Sequence, residues 1–183
     1  MTKGFTRDSD RLFEAIGEFC SFSDSHDQLH SIVTEILHDI KLNGDDALLE
    51  RTLLYDKVSL ASSDLLVTEA ELSDARNQLS VSEENSIMDA IKNITLFHEK
   101  SIPENWDTVN LHGAKVGELY YPIRRVGIYV PGGNVPLIST VIMTVTLARV
   151  AKVEEIVVTT PPDSNGMIAP QMLATLDILG VKE

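Results

Sequence analysis

The chain has one cysteine, Cys20, among its 183 residues. A single cysteine cannot form an internal disulfide, so the fold does not depend on one. Cys20 falls near the apolar side of a helical pattern and has no basic neighbour in the sequence that would activate its thiol. We therefore expect a packing role for this residue and a reducing compartment, the cytoplasm.

Basic residues are scarce. Lys and Arg number 15 against 28 Asp and Glu, and the formal net charge is -13. No basic cluster could neutralise a run of phosphates or bind an anionic membrane surface. No apolar stretch reaches the roughly 20 residues that span a bilayer, and the first residues lack the apolar core of a signal peptide. The composition therefore argues against nucleic-acid and membrane partners.

Common catalytic motifs are also missing. The sequence contains no G-x-S-x-G, no P-loop, no C-x-x-C and no carboxylate pair in a setting that would separate two pKa values. His26 and His30 have the i, i+4 spacing of a zinc pair, but two histidines at the start of a surface helix with no third ligand favour solvated side chains. We assign no catalytic and no metal-binding residue in this chain.

The first hundred residues have mostly helical periodicity. Apolar positions recur at helical spacing from Ser9 (Leu12, Phe13, Ile16 and Phe19), and again over Leu29, Ile32, Val33, Ile36 and Ile40. Gly44 is a predicted C-cap, after which Asp45 or Asp46 caps a third helix. Thr68 and Glu71 have capping-box spacing, and Ser82 is predicted to open a further helix.

The spacing of apolar residues changes after Pro103. Alternation around His112 and Gly113 predicts a hairpin. A strand over 126–130, a long apolar helix over 137–150, a strand in "EEIVVTT" and a helix closed by Gly180 follow. This βαβα order predicts a parallel sheet. We predict an α/β protein with a mostly helical region ending in a short hairpin (1–115) and a partial Rossmann-like domain (116–183).

Two parallel strands do not make a stable sheet, because such sheets need several strands with both faces covered. The predicted sheet is therefore incomplete. We expect either a piece of a longer protein or a chain that a partner completes.

The stretch "VGIYVPGGNVPL" allows two interpretations. Gly132 and Gly133 can let backbone N–H groups approach a pyrophosphate at the start of the following helix. Alternatively, Pro131 and the glycines only make a tight corner between strand and helix. The pattern is not G-x-G-x-x-G, so residue chemistry leaves both interpretations open.

A longer stretch of the sequence around this turn resembles a known protein family. The run "RRVGIYVPGGNVPLISTVIMTVTLARVAKVEEIVVTTPP" resembles the signature region of histidinol dehydrogenases, with V-G-x-Y-V-P-G-G, S-T-V-x-M, A-R/K-x-A and a strand that ends in Pro-Pro. The segments "NGDDALLERTLLYDKV", "AIKNITLFHEK" and "LATLDILGVKE" are also similar to that family. The resemblance covers essentially the whole chain, which equals less than half of a typical member.

The resemblance implies a two-step, NAD-dependent oxidation of an amino alcohol to an amino acid, with a zinc ion that orients the substrate. It implies that Tyr129 contacts NAD together with Pro131, Gly132 and Gly133, and that Tyr55 lies near the adenine. The zinc ligands and the Glu/His pair that moves protons belong to the part of the family that follows Glu183, so zinc is expected only in full-length members. The resemblance also implies pairing as intertwined dimers.

Three positions depart from the family pattern. Leu147 replaces a frequent Pro, Lys152 a frequent Gly and Thr159 a frequent Cys. Lys152 follows a helix, where a positive charge favours the negative end of the helix dipole.

The resemblance favours the N-terminal part of a histidinol dehydrogenase that is inactive alone and binds NAD weakly or not at all. We expect a homodimer or association with the missing C-terminal half. The alternatives are a stand-alone homologue that acts as a non-catalytic binding module, and a fragment of a paralogue that oxidises another amino or sulfonated alcohol.

Overall fold

The computed structural model describes residues 26–132 and 136–182, with side chains from Leu29 onward. Contacts divide the chain into two compact units, residues 1–50 and 51–183. Cys20 and the helix predicted from Ser9 lie outside the described residues. The organisation into regions 1–115 and 116–183 stays a prediction.

The first unit contains helix α1 (His26–Asn43) and the beginning of helix α2 (Asp45–Tyr55). Gly44 separates them with φ of 60°, a conformation that glycine adopts readily. Its amide donates to the carbonyl of Ile40 at 2.8 Å. The predicted C-cap and the predicted third helix are both confirmed.

The second unit continues with a 3₁₀ turn (Ser62–Asp64), helix α3 (Glu69–Asn77) and helix α4 (Val81–Glu99). The predicted capping box of Thr68 and Glu71 begins α3. The start predicted for α4 was two residues late. Ser80, not Ser82, is the N-cap, because Ser80 and Glu83 have the spacing of a second capping box.

The predicted hairpin is confirmed as strands β1 (Trp106–Val109) and β2 (Lys115–Glu118), which pair antiparallel. The Asn110 side chain accepts from the amides of His112 and Ala114, each at 2.9 Å. Gly113 has φ of 81°. All eight strand residues are exposed.

Strands β3 (Arg125–Tyr129) and β4 (Glu155–Thr159) form the predicted parallel pair, with Val126 opposite Ile156. Helix α5 (Ile138–Val150) connects them and helix α6 (Pro170–Ile178) follows β4. The β-branched α5 is therefore a helix, as its length predicts. The helix closed by Gly180 is confirmed too, because Gly180 has φ of 64° and donates to Asp177 at 2.8 Å. The mixed α/β class is confirmed.

One face of the β3–β4 sheet packs into the core and the other does not. Ile128 and Val130 belong to a buried cluster with α5 and α6, whose members include Val141, Val145, Met172, Ala174 and Leu176. Side chains alternate along a strand, so Arg125, Gly127 and Tyr129 lie on the opposite face, where all three are exposed. We call this second surface the open face.

Candidate functional site

The carboxyl ends of β3 and β4 meet at one edge of the sheet. Tyr129 pairs with Thr159, and the amide of Val130 extends the pairing by donating to Thr159 at 2.8 Å. Ligands of open parallel sheets bind in the crevice outside this edge. Tyr129, Pro131 and Gly132 are therefore in a position suited to ligand binding.

Tyr129 is the last residue of β3, and its side chain is 64% exposed. The preceding Ile128 is buried, so the tyrosine ring lies on the open face. Nothing in the core requires an aromatic residue at this position. An exposed ring at the carboxyl end of a parallel strand is available to stack on a planar ligand.

Gly132 has a packing reason for being glycine. A Cβ atom there would lie 2.6 Å from Cγ and 3.0 Å from the carbonyl oxygen of Pro161, too close for any side chain. The corner after β3 thus packs directly on the proline pair after β4. This contact favours the tight-corner interpretation for Gly132. Pro131 is exposed at the same corner, and Gly133 lies outside the described residues.

A cavity of about 600 Å³ borders this corner. Its lining combines the β3 corner, the loop after β4 and the start of α6: Gly132, Pro136, Thr160, Pro161, Pro162, Asp163, Ser164, Met167, Ile168, Ala169, Pro170 and Met172. Neither Tyr129 nor Tyr55 lines it. A ligand that contacts both Tyr129 and the cavity must therefore extend along the carboxyl edge.

Asp163 organises the loop that forms one wall of this cavity. Its Oδ1 accepts from the amides of Asn165 at 2.8 Å and Met167 at 2.9 Å. Its own amide donates to the Met167 carbonyl at 2.8 Å. The amide of Met167, followed by that of Asn165, lowers the pKa of the Asp163 carboxyl. The carboxyl is therefore ionised at neutral pH.

Tyr55 ends α2 and is 56% exposed. The segment after it reaches the same loop, because a Cβ on Gly166 would lie 3.3 Å from Cγ1 of the buried Val58. The structure thus connects the Tyr55 end of α2 to the far side of the Asp163 loop. Contact of the Tyr55 ring with an adenine stays a prediction.

No group of three or more His, Cys, Asp or Glu side chains that could hold a metal ion occurs within the described residues. Nδ1 of His30 lies 3.4 Å from the Thr34 hydroxyl, and the side chain of His26 is not described. The described part of the chain therefore does not provide a donor set for zinc. None of its helices is long and apolar enough to cross a membrane.

Sequence reasoning did not single out Asp163, the residue that organises the loop beside the cavity. The signal in the sequence is the D-S-N-G run from Asp163 to Gly166, which is typical of a turn that an Asp side chain stabilises. The interpretation of the motif concentrated on the glycine corner after the first strand.

These elements define a mixed α/β protein with a parallel sheet, a glycine corner and a cavity at the carboxyl edge. Residues 21–183 match the family profile described as histidinol dehydrogenase. The chain belongs to the histidinol dehydrogenase family.

Individual relatives agree with this assignment. The chain is 39% identical over 156 residues to a histidinol dehydrogenase of Symbiobacterium thermophilum, an alignment that covers 85% of this chain and 36% of the relative. It is 40% identical over 160 residues to that of Thermotoga maritima, covering 87% and 37%. A crystal structure of histidinol dehydrogenase from Elizabethkingia anophelis superposes with a TM-score of 0.79 at 34% identity, covering 85% and 35%. The chain therefore spans little more than a third of the length of these relatives.

Proposed function

We propose that this chain supplies part of the cofactor side of an NAD-dependent oxidoreductase that converts L-histidinol to L-histidine in histidine biosynthesis. The observation that carries the proposal is the exposed Tyr129 at the carboxyl end of β3, next to the glycine corner, in a chain of the histidinol dehydrogenase family. NAD, when bound, accepts the hydride that leaves the substrate.

The residues at the edge fit a dinucleotide in three respects. The Tyr129 ring offers an exposed aromatic face. Gly132 at the corner lines the neighbouring cavity, so a ligand that extends from Tyr129 can enter it. Leu137, at the start of helix α5, supplies no side-chain cap, and the positive end of a helix dipole favours an anionic group. The chain thus binds and orients the cofactor from one side.

Proton transfer and substrate orientation need residues that the described part of this chain does not supply. Its side chains hold no donor set for zinc, so we derive no step through a metal. We expect the catalytic groups to come from further polypeptide, either a homodimer partner or the rest of a longer chain. A cytoplasmic location agrees with such a biosynthetic role.

The first test is a titration of the isotope-labelled chain with NAD⁺ by NMR. We expect weak binding, with Kd on the order of millimolar, because only one side of the pocket is present. Tyr129→Ala should weaken this binding further. Tyr121→Ala is the matched control, because Tyr121 is 76% exposed and follows the hairpin rather than β3.

The same protein is then assayed for histidinol-dependent NADH formation with added Zn²⁺. We expect no turnover by the chain alone. Turnover that survives removal of host enzyme would contradict the proposal that the catalytic groups come from further polypeptide. Equal NAD⁺ affinities of the native chain and Tyr129→Ala would remove the proposed cofactor site.

A further inference from the structure

We infer that Asn165 is a site of spontaneous deamidation, a covalent modification that converts its side-chain amide to a carboxylate. The sequence has two Asn-Gly dipeptides, at Asn43 and at Asn165. Asparagine is a thermolabile residue, and a following glycine leaves the next amide nitrogen unshielded by a Cβ atom. Both dipeptides have the same chemistry, so the fold decides which of them reacts. This inference does not depend on the proposed function.

The reaction needs only water as a co-reactant. The Gly166 nitrogen, after it loses its proton to solvent, attacks Cγ of Asn165 and closes a cyclic imide. The Cγ–Nδ2 bond breaks, and the leaving nitrogen takes up a proton and departs as ammonia. Water then opens the imide at Cγ, which gives an aspartyl residue, or at the main-chain carbonyl carbon, which gives an isoaspartyl residue. Both products carry a carboxylate in place of the neutral amide.

The fold protects Asn43 from this reaction. Asn43 is the last residue of α1, and α2 begins at Asp45. The amide of Gly44 donates to the carbonyl of Ile40 at 2.8 Å, and Nδ2 of Asn43 donates to Oδ1 of Asp39 at 2.9 Å. Ring closure turns the Gly44 nitrogen towards Cγ of Asn43 and releases Nδ2. Both hydrogen bonds must therefore break and the helix end must unwind before the imide forms.

The turn at Asn165 opposes ring closure less. Residues 160–169 form no helix or strand, and Asn165 is exposed. The amide of Gly166 donates to the carbonyl of Asp163 at 3.0 Å, and the bonds from the amides of Asn165 and Met167 to Oδ1 of Asp163 lie within the same short segment. Short exposed segments open at a lower free energy than packed helices. The imide therefore forms more readily at Asn165 than at Asn43.

Deamidation at Asn165 alters the wall of the cavity beside the glycine corner, because Asp163, Ser164 and Met167 line that cavity. The new carboxylate lies two residues from that of Asp163, and like charges at short range repel. An isoaspartyl residue also lengthens the main chain before Gly166, where a Cβ atom would lie 3.3 Å from Cγ1 of Val58. We therefore expect the modified turn to lose its packing on the Val58 segment.

The test incubates the whole chain at mildly alkaline pH, once folded and once unfolded in urea. Trypsin then separates the two sites into peptides 42–51 and 153–182, each with a single Asn. Mass spectrometry measures conversion in each peptide, and incubation in oxygen-labelled water shows that the new oxygen comes from solvent. We expect folding to raise the ratio of the Asn165 rate to the Asn43 rate by about tenfold or more, because only Asn43 needs a helix to unwind.

Asn165→Gln is the matched variant, because glutamine must close a larger ring and reacts more slowly. It should abolish the isoaspartyl signal that a protein isoaspartyl methyltransferase detects in peptide 153–182 and leave conversion at Asn43 unchanged. A folded-state rate ratio within about twofold of the ratio in urea overturns the inference, since the fold then makes no selection. Absence of conversion at Asn165 in the folded chain, over a time in which the unfolded chain converts, overturns it as well.

Discussion

At the scale of single residues, Lys152 is in a conformation that glycine would adopt more easily. Its φ is 62°. Its amide donates to Arg149 at 2.9 Å and that of Val153 donates to Ala148 at 3.0 Å, which is the Schellman pattern at the end of α5. Gly180 ends α6 with the same pattern and φ of 64°. The sequence interpretation explained Lys152 by its charge and missed this backbone requirement.

Lys152→Gly is therefore expected to raise the free energy of unfolding by about 1 kcal/mol, because a side chain in the left-handed region costs about that much. Chemical denaturation at neutral pH measures the change. The control is Lys100→Gly, since Lys100 ends α4 with φ of -83°. That variant should not gain stability, because it relieves no left-handed strain and makes the unfolded chain more flexible. A Lys152→Gly variant less stable than the native chain would contradict the explanation.

At the scale of elements, the sequence predicted the parts whose signals are local. The Thr68 box, the Gly44 cap and the hairpin turn each depend on residues within five positions of one another. Ser80 has an equally local signal, which was overlooked in favour of the acidic pair that follows Ser82. Local hydrogen-bonding geometry therefore accounts for both the correct boundaries and the late one.

The capping box of α3 predicts a dependence of stability on pH. Hydrogen bonds from the backbone and then the side chain of Thr68 lower the pKa of Glu71 below its ordinary 4.5. A carboxyl with a lowered folded pKa stabilises the fold above its unfolded pKa, and this contribution is lost as the pH falls through the folded value. Glu71→Gln should therefore flatten the decline of stability below about pH 4.5.

Denaturation at several acidic pH values measures this slope. Glu104→Gln is the control, because Glu104 is exposed in the loop before β1. Parallel pH profiles of the native chain and Glu71→Gln would show that the charge of Glu71 does not contribute to the stability of the fold.

Separately, Thr68→Ala should lower the free energy of unfolding by about 1 kcal/mol at neutral pH.

Contacts between elements could not be predicted from the sequence patterns. Arg76 on α3 donates to Glu84 at 2.8 Å and to Asp177 on α6 at 3.2 Å. Gly132 packs on Pro161, and Val58 packs near Gly166. These partners are distant in the sequence or follow no periodic rule, so only the folded chain brings them together. The position of the Asp163 loop against the glycine corner belongs to this class.

At the scale of the whole molecule, much apolar surface in residues 51–183 is uncovered. Parallel sheets are normally buried on both faces, but the open face is exposed at Tyr129 and Gly127. The β1–β2 hairpin has no buried strand residue, and a two-stranded hairpin is marginal by itself. Apolar residues continue beyond it, with Leu119 67%, Tyr121 76% and Ile123 62% exposed.

Large exposed apolar patches promote association, so we expect the chain to form dimers or larger species through residues after about 115. Light scattering over a range of concentrations measures this. The double variant Leu119→Asp with Ile123→Asp should shift the equilibrium towards monomer, because a buried unpaired carboxylate is costly. Leu37→Asp is the control, since Leu37 is a 63% exposed leucine on α1. A native chain that stays monomeric at every concentration, or a double variant that associates like Leu37→Asp, would show that this surface does not mediate assembly.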